Sequence, residues 1–297
     1  MGYINIFVSK NANLSVKNNQ LFLKGDDKQI DYPLEDINSI MLENLQTNIS
    51  TYTLSKISEQ NILTFICGQS HLPCGVILPF FNHYKTLSVY QKQIELSRPF
   101  QKQLWQTIIK NKIGNQNAVL NIFGGNNDLK NIQNQVLSGD SSNAEATASV
   151  KYFKQLFGDE FKRREETSTN SFLNYGYAII RGFVARSIAV HGLLPFLGIR
   201  HSNQFNQFNL ADDLIEVFRP VVDLFVKTYL SDCVELNSAI KQAIYTIINY
   251  NVEIDGQKQT LSYAIDMFVE SYVKSIQKNK NYLKNVKVLD LEIHKYE

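Results

Sequence analysis

The spacing of apolar residues changes once along this 297-residue chain, and that change limits the folds available to it. In the N-terminal third the apolar residues form short β-rich runs, and Asn18-Asn19 separates two of them as a predicted hairpin turn. The apolar residues that follow recur with helical spacing to the C-terminus. The sequence therefore predicts an α+β protein: a β-sandwich-like domain over residues 1–85 and an all-α domain over residues 86–297.

Composition excludes several classes of protein. A hydrophobic content of 44% is enough for a sizeable core, while 30 Lys and Arg against 28 Asp and Glu leave a net charge of only +2. Contact with nucleic acid would therefore depend on local basic patches. Three cysteines do not make a disulfide framework, which indicates a reducing compartment such as the cytoplasm. The most apolar span, residues 173–199, is interrupted by Arg181, Arg186 and His191, which argues against a membrane crossing.

A group of carboxylates opens the helix that we predict to begin at Leu210. Asn209 is a favourable N-cap, and an acid in the first turn, such as Asp212, is favoured by the helix dipole without any function. Glu216 lies further along, beyond the reach of the dipole, and shares a helix face with Asp213 three residues earlier.

Two interpretations of Glu216 stay open on the residues alone. One is an ion pair with Arg219, three residues later. The other is a metal site, because Asp213, Glu216 and the imidazole of His201, which a loop can fold over the same face, are suitable ligands for a hard divalent cation. Carboxylate oxygens suit Mg²⁺ or Mn²⁺, and one imidazole nitrogen shifts the preference toward Mn²⁺.

Another carboxylate, Glu145, opens a second predicted helix that ends at Gly158. Ser142 and Glu145 match the S-x-x-E capping box, which explains Glu145 without any chemistry. Basic side chains follow along residues 151–164, among them Lys151, Lys154, Arg163 and Arg164. A metal ligand followed by phosphate-neutralising charges is what a phosphodiester enzyme requires, and a solvated helix face is the alternative.

Further basic residues occur in the buried helix and near the C-terminus. Arg181 belongs to a polar stripe with Asn174 and Tyr177 and must meet an anion, which is either an internal carboxylate or a DNA phosphate. A run of lysines near the C-terminus either binds nucleic acid or forms a solvated face. Its members are Lys274, Lys278, Lys280, Lys284 and Lys287.

Two of these segments together resemble a known family. The stretch "LNYGYAIIRGFVARSIAVHGLLPFLGIRHSNQFNQFNLADDLIEVFRP" and the upstream "NAEATASVKYFKQLFG" resemble the CRISPR-associated adaptation integrases, the Cas-one family, in the form that accompanies type II systems. The motif has three parts: an acid before a K-Y-F helix, then G-I-x-H, then an acid within A-D-D-L-x-E-x-F-R-P. The resemblance extends over the strand-rich N-terminus and so covers essentially the whole chain.

The resemblance implies that the all-α domain over residues 86–297 is the catalytic domain, and it implies a set of site residues. Glu145, His201 and Glu216 fall on the three metal ligands and catalytic residues of the family, and Asp213 falls where several branches place an assisting acid. Some close relatives have a second histidine where this chain has Arg200. The candidate DNA-binding residues are Lys151, Lys154, Arg163, Arg164, Arg181 and Arg200.

The resemblance also implies a function in antiviral defence. It predicts a metal-dependent DNA integrase or endonuclease that uses Mg²⁺ or Mn²⁺ and joins the 3′-hydroxyl ends of short foreign duplexes to a repeat array, the step called spacer acquisition. The implied partners are double-stranded DNA from the prespacer and the repeat array, a second copy through the β-rich domain, and the small ferredoxin-like Cas-two protein in a heterohexamer. The type II effector nuclease is a further implied partner, and the implied location is the prokaryotic cytoplasm.

Two alternatives stay open beside this function. One is a metal-dependent nuclease that cuts branched DNA without integrating it, since hydrolysis and strand transfer differ only in the attacking group. The other is a non-catalytic DNA-binding scaffold whose carboxylates are structural.

Overall fold

The computed structural model describes residues 2–25, 28–80, 86–125 and 128–295. The predicted domain boundary after residue 85 falls at the end of a segment outside these ranges.

Among the described residues, the β-rich N-terminal region contains two four-stranded sheets, one α-helix and a short 3-10 helix, Leu34–Asp36. Its elements are β1 (Ile4–Val8), β2 (Asn13–Lys17), β3 (Gln20–Lys24), β4 (Gln29–Pro33), β5 (Ile37–Leu42), β6 (Asn48–Ile49), α1 (Thr51–Glu59), β7 (Leu63–Cys67) and β8 (Pro73–Ile77). One sheet has the order β1-β5-β7-β8 and the other the order β4-β3-β2-β6. Strands β1, β5 and β7 are parallel, and α1 lies in the crossover that a parallel pair requires between β5 and β7.

The two sheets enclose a shared core, as the β-sandwich-like prediction requires. Ile6 from one sheet and Leu21 from the other belong to the same buried apolar cluster, together with Ile57 of α1. The predicted hairpin is present, because Asn18 and Asn19 both have positive φ, at 50° and 57°, between β2 and β3.

The C-terminal region is mainly helical. Its helices are α2 (Thr86–Ile94), α3 (Arg98–Ile122), α4 (Asp128–Asn134), α5 (Ala144–Phe157), α6 (Ser168–Val190), α7 (Asn209–Leu214), α8 (Arg219–Tyr229), α9 (Ser238–Tyr245) and α10 (Leu261–Lys278). Helix α6 is buried on nearly all sides, as the apolar sequence predicts. Within the described ranges, no helix has both the length and the apolarity that a membrane crossing needs.

The α+β class is confirmed, but the second domain is not helical throughout. Strands β9 (Tyr250–Ile254), β10 (Gln257–Thr260) and β11 (Val286–Ile293) form an antiparallel sheet in the order β10-β9-β11. The turn between β9 and β10 is Asp255-Gly256, with φ of 51° and 77°. An Asp-Gly pair is a strong hairpin signal, so the sequence carried evidence for this sheet that the all-α prediction did not use.

Buried polar contacts join the first sheet to the helical region. Arg186 of α6 donates to both the backbone and side-chain oxygens of Asn38, at 2.9 and 2.8 Å. Ser39 and Tyr245 are hydrogen-bonded at 2.5 Å between their hydroxyl oxygens. Because buried polar groups are costly without partners, these contacts fix how the β-rich domain sits against the helices that carry the site.

Candidate metal and DNA site

Glu145 stands at the N-terminal end of α5, and its carboxylate is not used to cap that helix. Asp140 caps instead, because its carboxylate accepts from the backbone N–H of Ala144 at 2.9 Å and of Glu145 at 3.2 Å. The predicted capping box of Ser142 and Glu145 was therefore wrong, since an acid in the preceding turn takes the free amides. Gly158 ends the helix with a φ of 103°, as predicted.

The freed carboxylate of Glu145 meets Lys112 of α3. Lys112 Nζ lies 2.5 Å from Glu145 Oε1 and 2.5 Å from Glu216 Oε2, so one ammonium bridges two carboxylates that are 71 residues apart in sequence (216 − 145 = 71). Lys112 is 7% exposed and Glu216 is 5% exposed. Burial disfavours a charged lysine, but the two carboxylates outweigh it and raise the pKa of Lys112.

Glu216 has a second cationic neighbour. Arg219 Nε donates to Glu216 Oε1 at 2.8 Å, so the ion pair considered from the sequence exists, although it is buried rather than on the surface. Burial would raise the pKa of Glu216, but Lys112 and Arg219 more than reverse this and lower it to about 2. The Oε2 atom reaches Lys112 at ion-pair distance without the directed geometry of a hydrogen bond.

His201 is held by Asp213. The Nδ1 atom of the imidazole lies 2.6 Å from Asp213 Oδ1, and the hydrogen bond to this carboxylate raises the pKa of His201. Asp213 is fully buried and also accepts from three consecutive backbone N–H groups, those of Ile199, Arg200 and His201. Asp213 therefore fixes the loop and the imidazole, and with Nδ1 engaged the other ring nitrogen, Nε2, is the one available to a ligand.

Asn209 does not cap α7 as predicted. The N-cap position is Phe208, and the amide of Asn209 donates to the backbone carbonyls of Phe196, Asn203 and Asn206 at 2.9 to 3.2 Å. Asn209 is nearly buried, and its side-chain amide bonds to more partners within the loop than it would as the N-cap of a helix. It holds the loop that carries His201 closed.

The structure brings the predicted metal ligands only partly together. Glu145 and Glu216 share one cation, whereas His201 is paired with Asp213. In the part of the chain that the structure describes, no three His, Cys, Asp or Glu side chains are grouped closely enough to hold a metal ion. The donor chemistry of the carboxylate pair nevertheless fits a hard divalent cation, because a cationic group already lies between the two acids.

A cavity of about 730 Å³ adjoins the carboxylate pair. Glu145, Glu216 and Asp223 are the acids that line it. Six basic residues also line it: Lys112, Lys154, Lys162, Arg163, Arg164 and Arg219. We call this the basic cavity, and its excess of positive charge suits a phosphate backbone.

The lining of the basic cavity includes the phenol ring of Tyr177, which lies close to two guanidinium groups. The Cζ atoms of Arg163 and Arg219 lie 5.1 and 4.5 Å from the ring centroid of Tyr177. The Tyr177 hydroxyl donates to Asp223, and burial raises the pKa of Asp223 to about 6. Tyr177 thereby supports Arg219, the same residue that pairs with Glu216.

The other candidate DNA-binding residues lie apart from this cavity. Arg181 makes a paired contact with Asp212, at 2.6 and 3.0 Å, which is the internal carboxylate that the sequence left as one alternative. Lys151 and Arg200 are exposed and do not line the basic cavity.

Several of the C-terminal lysines have partners within the chain. Lys284 Nζ lies 2.5 Å from Asp255, while Lys274 and Lys280 lie over the ring of Tyr282 at 4.8 and 5.6 Å. These contacts agree with a solvated face, the simpler of the two sequence interpretations.

Lys112 is the site residue that sequence reasoning missed. It follows Ile108 and Ile109 by four and three residues, so it occupies the apolar stripe of α3, and both isoleucines are fully buried. A lysine in a buried apolar stripe needs an anionic partner, so the sequence position of Lys112 already indicated a buried ion pair.

The comparisons with known proteins identify the family. Residues 6–234 match the family described as "CRISPR associated protein Cas1". The whole chain is 36% identical over 304 aligned residues to the CRISPR-associated endonuclease Cas1 of Neisseria meningitidis serogroup C, with full coverage of both chains. A Cas1 endonuclease of Saccharolobus solfataricus is 27% identical and covers 91% of this chain and 94% of its own length. This chain belongs to the CRISPR-associated Cas1 family, which confirms the family that the sequence resembles.

Solved structures share the fold. A casposase bound to its integration product covers 94% of this chain and 91% of its own, with a TM-score of 0.76 at 19% identity. A Cas1 protein from Thermotoga maritima covers 93% and 97%, with a TM-score of 0.70 at 17% identity. A Cas6-RT-Cas1–Cas2 complex matches 97% of this chain with a TM-score of 0.71, over 36% of the matched chain.

Proposed function

We propose that this protein is a metal-dependent DNA integrase and endonuclease of CRISPR spacer acquisition, in the form that accompanies type II systems. The observation that carries the proposal is the pair Glu145 and Glu216, which share one cation beside a cavity lined with basic side chains. Membership of the Cas1 family, the endonuclease names of the relatives, and the casposase fold support it.

In the proposed reaction a 3′-hydroxyl attacks a phosphodiester at the repeat boundary. One phosphorus–oxygen bond forms as another breaks and releases a new 3′-hydroxyl, so the step is nearly isoenergetic and needs no nucleotide. A bound Mg²⁺ or Mn²⁺ would supply charge that favours ionisation of the hydroxyl and screens the phosphoryl oxygens. Glu145 and Glu216 would hold the ion, and His201 would offer Nε2 while Asp213 holds its orientation.

The basic cavity would position the DNA. Lys154, Arg163 and Arg164 neutralise phosphates along one wall, and the Arg219 guanidinium stays anchored by Glu216 and Tyr177. The proposed partners are prespacer and repeat DNA, a second copy through the β-rich domain, and the Cas-two protein in a heterohexamer. Among the matched structures are Cas1–Cas2 and Cas1–DNA complexes, which support the DNA and Cas-two partners. The type II effector nuclease is a further proposed partner.

The test is strand transfer on a labelled half-site DNA with Mg²⁺ or Mn²⁺, comparing the native chain with Glu216→Gln. We expect joined product with a 3′-hydroxyl donor, none with a 3′-blocked donor, and a loss of at least about a hundredfold in the variant, as for a group that acts in the transition state. The matched control is Glu43→Gln, which removes an equally buried carboxylate paired with Lys241 outside the cavity.

The outcomes separate the alternatives. Cutting that persists with a 3′-blocked donor, without any joining, would establish a nuclease that does not integrate. If the native chain supplied with its Cas-two partner shows no reaction, and Glu216→Gln binds DNA as the native chain does, the protein is a DNA-binding scaffold.

A further inference from the structure

Lys112 occupies the position between the two carboxylates where a cation is most strongly attracted. Its ammonium lies 2.5 Å from an oxygen of Glu145 and 2.5 Å from an oxygen of Glu216, and it reaches them from α3, a helix that carries neither acid. The contact with Glu145 is a charge-assisted hydrogen bond and the contact with Glu216 is an ion pair, and Lys112 and Glu216 are both buried. Lys112 therefore connects the N-terminal end of α5 to the turn that follows α7.

The two carboxylates and the two cations in direct contact with them carry no net charge. The carboxylates of Glu145 and Glu216 offset the cations of Lys112 and Arg219, so adding a divalent ion to the same oxygens would leave two excess positive charges in a largely buried cluster. Arg219 cannot leave easily, because Glu216 and the ring of Tyr177 both hold it. The Lys112 ammonium ends on a flexible four-carbon stem and already lines the basic cavity, so it is the group that can move.

We infer that Lys112 is a resident counter-cation of the carboxylate pair, and that a divalent ion and the Lys112 ammonium compete for the same oxygens of Glu145 and Glu216. The pair stays assembled without the ion because Lys112 neutralises it. Binding of the ion displaces Lys112 into the basic cavity. This inference rests on the proposed function, since it takes Glu145 and Glu216 as ligands of the ion.

The first experiment uses the native full-length chain. Lysines are acylated with a water-soluble ester with and without Mg²⁺, and the labelling rate of each lysine is read by mass spectrometry of the digest. We expect Lys112 to be protected without Mg²⁺ and to be labelled at least about tenfold faster with it, because even one lost charge-assisted contact produces a change of that size and Lys112 would lose two. Lys241, similarly buried beside Glu43, is the internal control and should stay protected in both conditions. An unchanged or slower Lys112 rate overturns the inference.

The second experiment measures Mn²⁺ binding by calorimetry in the absence of DNA. We expect Lys112→Met to bind Mn²⁺ about tenfold more tightly than the native chain, because the competing cation is gone. Lys241→Met, the matched control, should bind as the native chain does.

The outcomes distinguish this inference from the proposed function. If Lys112→Met binds Mn²⁺ no more tightly than the native chain, and Glu216→Gln abolishes Mn²⁺ binding, the competition is overturned and the metal site remains supported. Absence of Mn²⁺ binding in every variant and in the native chain overturns both.

Discussion

The Nδ1 atom of His201 lies 2.6 Å from a carboxylate oxygen of Asp213, and that carboxylate is completely buried while almost half of the imidazole side chain is exposed. The same carboxylate accepts the backbone N–H groups of Ile199, Arg200 and His201. One buried acid therefore fixes the path of the loop and the orientation of the ring that the loop presents.

Replacing Asp213 with Asn should uncouple the imidazole from this support. Because the hydrogen bond to Asp213 raises the pKa of His201 above its ordinary value of 6.5, we expect the variant to lower it. In the native chain the protonated ring stabilises the fold fully below pH 6.5, and that contribution is lost as the pH rises through the raised pKa. We also expect the free energy of unfolding to fall by about 3 kcal/mol, because buried N–H groups lose a charged acceptor.

The measurement for Asp213→Asn is an NMR titration of the imidazole carbons together with urea unfolding at neutral pH. His191, whose ring bonds to the backbone carbonyl of Ser187 instead, provides an internal reference. An unaltered His201 titration would show that the carboxylate does not control the ring.

Glu216 should contribute acid-sensitive stability. Its pKa in the folded chain is lowered to about 2 from an ordinary 4.5, so its contribution is present above pH 4.5 and disappears as the pH falls toward 2. We expect Glu216→Gln to be less stable than the native chain by about 3 kcal/mol at pH 7, and the difference to shrink progressively below pH 4.5.

Urea unfolding at pH 7, 5 and 3 measures this effect for Glu216→Gln. Glu292→Gln, which removes an exposed carboxylate paired with Lys258 at 3.3 Å, is the control and should change stability little. The prediction is contradicted if the free energy of unfolding of the native chain exceeds that of Glu216→Gln by the same amount at pH 7 and at pH 3.

Gly198 is the closest glycine to the His201 loop, and we expect Gly198→Ala to distort it. A Cβ at this position would lie 2.3 Å from the carbonyl oxygen of His201 and 2.7 Å from a carboxylate oxygen of Asp213, so the loop must move. We expect a loss of about 1–3 kcal/mol in unfolding free energy and a changed His201 titration. Gly75→Ala, whose new Cβ would come no closer than 3.9 Å to Ile66, should leave both unchanged.

Two lysines of α5 provide a paired test of DNA contact. Lys154 lines the basic cavity and Lys151, three residues earlier, does not. We expect Lys154→Gln to weaken binding of duplex DNA and to reduce the slope of log affinity against log salt by about 0.9, the value for one lost phosphate contact. Lys151→Gln should leave the slope unchanged. Equal slopes for the two variants, measured by fluorescence anisotropy at several salt concentrations, would mean that DNA does not follow this wall.

Much of the fold was accessible from the sequence because local patterns decide it. The alternating and helical spacings, and the Asn18-Asn19 turn, predicted the α+β class that the structure confirms. The small third sheet was missed because β9 and β10 are short strands within a helical region and β11 lies beyond the last helix, although Asp255-Gly256 marks the turn between β9 and β10.

The site was less accessible because its contacts are distant in sequence. Whether Glu145 caps its helix depends on whether another acid reaches the free backbone N–H groups at the start of α5. Asp140 does so from the preceding turn, and the sequence does not give the path of that turn. Similarly, Lys112 stands out in its apolar stripe, but its two partners come from other elements of the fold. Recognition of the family supplied Glu145, His201 and Glu216, whereas the contacts of Lys112 with Glu145 and Glu216 appear only in the folded chain.

The capping of α5 by Asp140 has a consequence for how this chain can change over time. Since Asp140 satisfies the start of the helix, the half-buried side chain at position 145 is not needed to begin α5, and a substitution there would remove its contact with Lys112. Under the proposed function, a substitution at position 145 would remove one ligand of the ion while α5 and the basic cavity stay in place. A descendant with such a substitution would still offer the basic cavity to DNA, but without the complete metal site.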